Sequence, residues 1–484
     1  MIRYGHATGA GPGFGGGALK FMCRSAAAAL CALAYSVGNL LGSAAVVQKV
    51  LRMSPLLVRG LTGLALLPLT ASPGLAATAA PDTGSTAWIL TASALVLFMT
   101  LPGLALFYGG LVHARNVLSV LMQCFAICCI ASVLWAVCGY SLAFDGEGAL
   151  IGSLHKAFLA HLAPLRPGTP LPEAVFALYQ MTFAVITPAL IIGAIPERVS
   201  FPFVALFSAL WLLFVYVPVA HWIWGGGWLA GLGTLDFAGG IVVHTTAGVS
   251  ALLLALMVGR RRGFPTTMTP PHSPGMTMTG AGMLWVGWFG FNGGSALAAD
   301  ASAANAILVT HLSASAGALA WTAAEWIKIR KPTSIGIVTG CVAGLATITP
   351  AAGYVSPAAA LAIGTAGGLV CFFITLYVKH RLVIDDSLDV FAVHGVGGIL
   401  GSLLLPVFLS PDLGGAGFAE GRTAVGQLAV QILAVGVVAL WSGLLTFGIG
   451  RLLGAVVPLR VDQEAEHDGL DLASHGERAY EFTP

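Results

Sequence analysis

From residue 86 onward the chain repeats one pattern: apolar runs long enough to cross a bilayer, joined by short polar links. Eleven such runs can be drawn, roughly 86–112, 118–144, 176–195, 201–221, 236–259, 276–297, 303–326, 335–350, 356–378, 390–409 and 423–455. A helix that spans a bilayer needs about 20 apolar residues, because lipid offers its backbone amides no partners. The eighth run is short, as a tilted or partly re-entrant helix would be. Hydrophobic residues make up 57% of the chain and charged residues 9%, against about 25% charge in a soluble domain. The expected fold class is an all-α polytopic membrane protein. An ordinary soluble enzyme is excluded, and a net charge of +2 implies no nucleic-acid partner.

The basic residues set an orientation. With the mature N-terminus outside, the inner links and tail hold Arg115, Arg198, Arg260, Arg261, Arg262, Lys328, Arg330, Lys331, Lys379, Arg381, Arg451, Arg460 and Arg478, while the outer links hold only Lys156, Arg166 and Arg422. Positive charge stays on the cytoplasmic side, so the N-terminus is expected outside and the C-terminus inside. Ten of the eleven spans divide into two sets of five with opposite orientations. That is an inverted 5+5 pseudo-twofold repeat plus one extra helix, with a site expected near the midplane.

Four regions follow. Residues 1–52 read either as an N-terminal extension or as sequence ahead of a true start at Met53. Residues 53–77 read as a signal peptide, with Arg59, an apolar core at Leu61–Leu69 and small residues at Gly74–Ala77. Residues 78–455 form the membrane domain. The tail, 456–484, is polar and mixed in charge, which by composition alone is a solvated segment. The eight cysteines are scattered without metal-ligand spacing, and Cys124, Cys128, Cys129 and Cys138 share one run as lipid- or helix-facing small residues.

Against this background a few residues stand out. The fifth run opens on Asp236 and carries His244; the tenth follows Asp389 and carries His394. Ionisable groups within a span are costly and mark function. Two neutral imidazoles meeting in an apolar pore would offer hydrogen bonds without a fixed charge. Asp236 either coordinates a cation or caps the fifth helix. Trp224, beside Gly225–Gly227, and Trp288, Phe291 and Ser295 on the sixth run supply aromatic faces and a hydroxyl, and aromatic faces attract cations. Trp222 and Trp228 fit an interfacial belt, His311 has no counterpart, and Phe183 gains meaning only beside the others. A metalloenzyme built on His244, His394 and Asp236 lacks a third ligand at metal spacing and an HExxH helix.

The stretches Leu95–Gly109, Gly193–Arg198, Ala220–Gly227, Leu235–His244, Gly287–Asn292, Asp389–Gly395 and Gly469–Gly476 together resemble the ammonium transporter family (the Amt/Mep/Rh superfamily), most closely its bacterial Amt branch. The resemblance covers about residues 80–484 and implies a homotrimer in the bacterial inner membrane, with one narrow pore per eleven-helix subunit and no cofactor. Carried onto this chain, Phe183, Trp224 and Ser295 resemble an outer ammonium recruitment site. Phe183 and Phe291 resemble a stacked phenyl gate, His244 and His394 the twin-histidine pair, Asp236 the essential acid near the mouth, and Trp288 a pore-wall aromatic. The implied substrate is ammonium, with methylammonium as analogue. The implied function is transport that deprotonates ammonium and conducts ammonia, with the proton carried separately. The tail match implies docking between subunits and a PII-class signal-transduction protein as partner. A Rhesus-like channel for neutral gas is the nearest alternative, but a neutral gas needs no outer cation trap. An ammonium sensor signalling through its tail would need a separate partner.

Overall fold

The computed structural model describes residues 80–267 and 270–480; the proposed extension at 1–52 and signal peptide at 53–77 lie outside them. In chain order the long helices are α1 (Thr83–Leu111), α2 (Ala114–Phe144), α3 (Glu173–Ala194), α4 (Phe201–Gly231), α5 (Gly240–Val258), α6 (Pro274–Gly294), α7 (Ala301–Ile329), α8 (Ser334–Ile348), α9 (Pro357–His380), α10 (Phe391–Phe408) and α11 (Ala424–Gly454). Two short helices follow in the tail, α12 (Gln463–Asp468) and α13 (Leu470–His475). Among the described residues, nine helices are long and apolar enough to cross a membrane. The other two long elements are α8, only 15 residues, and α6, which has 21 residues but is diluted by Gly, Thr and Asn.

Capping chemistry fixes where several of these helices begin. The carboxylates of Asp82 and Asp300 accept the backbone N–H groups of Ser85 (2.6 Å) and Ala303 (3.0 Å). The hydroxyls of Thr333 and Thr423 do the same for Gly336 (2.9 Å) and Gly426 (3.1 Å). Ser273 and Ser356 cap α6 and α9, each followed by a proline whose missing N–H costs nothing at that place. These caps serve first-turn amides that have no partner within the helix.

Burial sorts the bundle into inner and outer helices. The most apolar stretch of α3 is 83% buried and that of α5 72%, whereas that of α11 is 28% buried. So α3 and α5 form the centre, and α11 turns leucines and valines outward, as a lipid-facing helix would.

At the centre α5 and α10 cross so closely that only glycine fits. A Cβ on Gly248 would lie 2.2 Å from the Cα of Gly395, and one on Gly398 would lie 2.4 Å from the carbonyl oxygen of Gly240. This reciprocal crossing is what brings two histidines from distant parts of the chain together.

At the end of the bundle where α3 and α5 finish, the links are sewn together. The buried Arg198 guanidinium donates to the carbonyls of Gly259 (2.8 Å), Ala194 (3.1 Å) and Asp385 (2.7 Å), and to the Ser387 hydroxyl (2.7 Å). Arg261 pairs with Asp385 (3.0 Å) and Glu197 (2.8 Å). The tail docks on these links through a few buried residues, while most of its other described residues stay exposed. Glu466 accepts from the Arg262 backbone (2.9 Å) and from Arg460 (2.6 Å), and Asp471 accepts from the Ser119 backbone (2.8 Å). Asn116 accepts from the Leu470 backbone at 2.8 Å.

Candidate functional site

The site is built around a break in helix geometry that occurs twice. His244 sits in a π-helical turn, Gly240–Thr245, at the head of α5; His394 sits in another, Phe391–Val396, at the head of α10. One extra residue per turn rotates the side chains that follow, and such turns gather at functional positions. The two rings face each other across the glycine crossing with Nδ1 atoms 3.3 Å apart and centroids 5.2 Å apart.

An Nδ1–Nδ1 contact needs one donor and one acceptor, so the two rings hold opposite tautomers. One then presents Nε2 as an acceptor and the other presents Nε2–H as a donor. The Nε2 of His244 is buried without a protein partner, and an unpaired buried polar atom is costly enough to need a reason. Both histidines line a narrow cavity whose other walls include Ile186, Leu190, Val243, Leu284, Trp288 and Phe291. An apolar cavity with one unsatisfied imidazole nitrogen suits a small, neutral, hydrogen-bonding solute.

Trp288 and Phe291 close the cavity, with ring centroids 5.5 Å and 6.0 Å from His244. The Trp288 indole is fixed by donating to the Thr349 hydroxyl at 2.9 Å. Phe291 in turn packs on Phe183 at 4.3 Å, and Phe183 meets Trp224 edge-on at 5.7 Å. These rings form an unbroken aromatic series from the half-exposed Trp224 to the buried imidazoles. Ser295 joins through Tyr179, whose hydroxyl lies 3.3 Å from the Ser295 oxygen and whose ring lies 5.1 Å from Phe183.

Asp236 lies ahead of the helix and does not line the histidine cavity. Its carboxylate accepts four backbone N–H groups, from Gly239 (3.0 Å), Gly240 (2.6 Å), Ile241 (2.9 Å) and Val242 (2.9 Å). Gly239 makes this possible by taking φ 111°, a conformation strained for any other residue. The Asp236 carbonyl accepts from the Trp224 indole at 2.8 Å. Of its two sequence readings, this geometry is the cap.

The acid that matches Asp236 in the second half is Asp386, not Asp389. Asp386 accepts from the backbones of Val390 (3.1 Å) and Phe391 (2.7 Å) and stands as far ahead of His394 as Asp236 stands ahead of His244. Asp389 instead pairs with Lys379 at 2.7 Å. Trp222 also departs from expectation. It is only 5% exposed and donates to the Leu150 carbonyl at 2.7 Å, so it lies under a loop and not in an interfacial belt.

Known proteins match the chain over nearly all of its described region. Residues 87–480 fit the model of the Ammonium Transporter Family. An ammonium transporter of Aquifex aeolicus is 45% identical over 418 residues, covering 86% of this chain and 97% of that protein. One of Bacillus subtilis is 44% identical over 403 residues, covering 82% and 98%. Among solved structures, a protein titled Sensor Amt Protein superposes with a TM-score of 0.76 at 30% identity, covering 81% of this chain and 98% of that one. Saccharomyces cerevisiae Mep2 gives 0.73 at 34% identity, covering 79% and 88%.

Proposed function

Because the chain belongs to the ammonium transporter family, we propose that it recruits ammonium at an outer aromatic and serine site, removes the proton, and conducts ammonia between paired imidazoles. The observation that carries this reading is the His244–His394 pair, Nδ1 to Nδ1 3.3 Å, inside an apolar cavity. A bare charge at the bilayer centre costs several kcal/mol. Ammonium therefore enters most easily where Trp224, Phe183 and Ser295 replace part of its hydration. Deeper in, the Phe183–Phe291 stack gates an environment that favours the neutral amine. The reaction is NH4+ giving NH3 and H+, with the proton carried across separately, so that net charge moves.

The wider assembly belongs to the same proposal. The nine spanning helices together with α6 and α8 make eleven spans, arranged as two inverted sets of five plus α11. Equal spacing of Asp236 and His244 in one half, and Asp386 and His394 in the other, supports the repeat. The subunit works as a homotrimer in the bacterial inner membrane, N-terminus outside and C-terminus inside. The tail, folded over the inner links, receives a PII-class regulator; removing 456–484 should abolish that binding while leaving the membrane domain folded.

The decisive experiment is electrophysiology on reconstituted protein, comparing ammonium, methylammonium and potassium for wild type and His244→Ala. Ammonium and methylammonium currents that the variant loses, with no potassium current, are expected. Uptake without current would reject the electrogenic step; unchanged conduction in the variant would reject the conduit.

A further inference from the structure

The link between α2 and α3, residues 145–172, packs over the same end of the bundle as Trp224. The Leu150 carbonyl accepts from Trp222 (2.7 Å), and that of Ala149 accepts from the Trp228 backbone (3.0 Å). Within this link His155 and His161, both exposed, stack with centroids 4.8 Å apart and planes 20° apart. Neither ring belongs to the conduit. Surface imidazoles left to themselves would not hold one another there, since ordering side chains costs entropy that a single stacking contact barely offsets.

The backbone holds them instead. Glu173, buried at the head of α3, grips both ends of the intervening segment. One carboxylate oxygen accepts from Lys156 Nζ at 2.5 Å and the other from the Ala163 backbone at 2.6 Å. The backbone N–H of His155 is itself fixed on the Ser153 hydroxyl at 3.0 Å. Between these anchors Phe158, Leu159 and His161 take φ values of 59°, 54° and 56°. Such conformations cost about 1 kcal/mol or more each and persist only where the surroundings impose them. Their effect is to fold the segment back until the two rings meet.

We infer that His155 and His161 form a two-imidazole site for a borderline divalent transition-metal ion such as Cu2+ or Zn2+. These ions take imidazole nitrogen at about 2.0–2.1 Å, which places two nitrogens on one ion about 3–3.4 Å apart. Rings stacked at 4.8 Å lie near that separation, and metal binding turns them out of the parallel stack so that one nitrogen lone pair of each points at the ion. Among the described residues no third His, Cys, Asp or Glu completes a cluster, so water fills the remaining positions and binding is reversible. The bound ion ties the two ends of the segment to one point and closes the link.

The test uses untagged full-length protein in detergent, titrated with Cu2+ and followed by electron paramagnetic resonance. Wild type should give a species with two nitrogen ligands that both H155A and H161A lose. Closure has its own readout, because Phe158 is 74% exposed and open to chymotrypsin. At Zn2+ ten times its Kd, cleavage there should slow about 10-fold in wild type, and not at all in the double variant H155A/H161A. A one-nitrogen spectrum in wild type, or cleavage that zinc slows equally in both proteins, would overturn the site.

Discussion

Gly248 and Gly395 meet backbone to backbone where α5 crosses α10, so that a Cβ on the former would lie 2.2 Å from the Cα of the latter. Neither atom can move aside as a flexible side chain would. Gly248→Ala should therefore force the helices apart, costing about 1–3 kcal/mol and enlarging the gap between the imidazoles. Gly448→Ala, on α11 where nothing lies within 4 Å, should be neutral or slightly stabilising. Thermal unfolding in detergent compares the two, and equal midpoints would show that the crossing is not tight.

The two capping acids should differ in proportion to what they hold. Asp236 serves four backbone N–H groups and Asp386 two. Asp236→Ala should cost about 2 kcal/mol or more, with Asp386→Ala milder. The Asp236 backbone carbonyl that accepts from Trp224 survives the first substitution, so a fall in ammonium uptake would come from a shift of the uncapped turn. Unfolding midpoints in the reverse order would reject the assignment.

His244→Leu roughly keeps the volume of the ring and removes both nitrogens. If its unpaired Nε2 stabilises the passing solute by one hydrogen bond of about 1.5 kcal/mol, methylammonium uptake should fall at least about 10-fold. Uptake at the wild-type rate would mean that the solute takes another route.

Acid should loosen the links around Arg198 and Arg261. Burial alone would raise the Glu197 carboxyl, but the His113 hydrogen bond and the Arg261 charge outweigh it and hold the group well below the usual carboxylate range. Asp385 is lowered in the same way, with Arg261 and Arg198 outweighing burial. A lowered folded-state pKa contributes stability that is complete above the unfolded value, about 4, and lost as pH falls toward the folded value. These groups should leave thermal stability flat from about pH 8 to pH 5 and lower it in more acid solution. Glu197→Gln should cost about 3 kcal/mol at neutral pH and reduce the acid slope. A slope unchanged in that variant would assign it to other carboxyls.

Much of this architecture is legible in the residues, because a bilayer leaves few choices. Each of the eleven apolar runs coincides with a helix, within a few residues at most ends. The paired histidines announce themselves because ionisable groups are rare in such runs. What escapes is decided by contacts between distant segments. Asp389 is the acid nearest to His394, yet its carboxylate turns to Lys379, while Asp386 reaches forward to the amides of Val390 and Phe391; the equal spacing to both histidines is the signal that points to it. The π-turns at both histidines leave no local trace in the residues. Trp222 looks interfacial until residues 145–172 fold over it. Glu466 and Asp471 look solvated until the amides they bond, on Arg262 and Ser119, are seen beside them.

One guanidinium governs more than its own neighbourhood. Arg198 joins the end of α3, which carries Phe183, to the end of α5, which carries His244, and to the residues leading into α10, which carries His394. The segments that carry the cavity's rings are thus tied together by a side chain that does not line the cavity. Misalignment of Phe183 and the imidazoles can arise there without a single wall residue being altered.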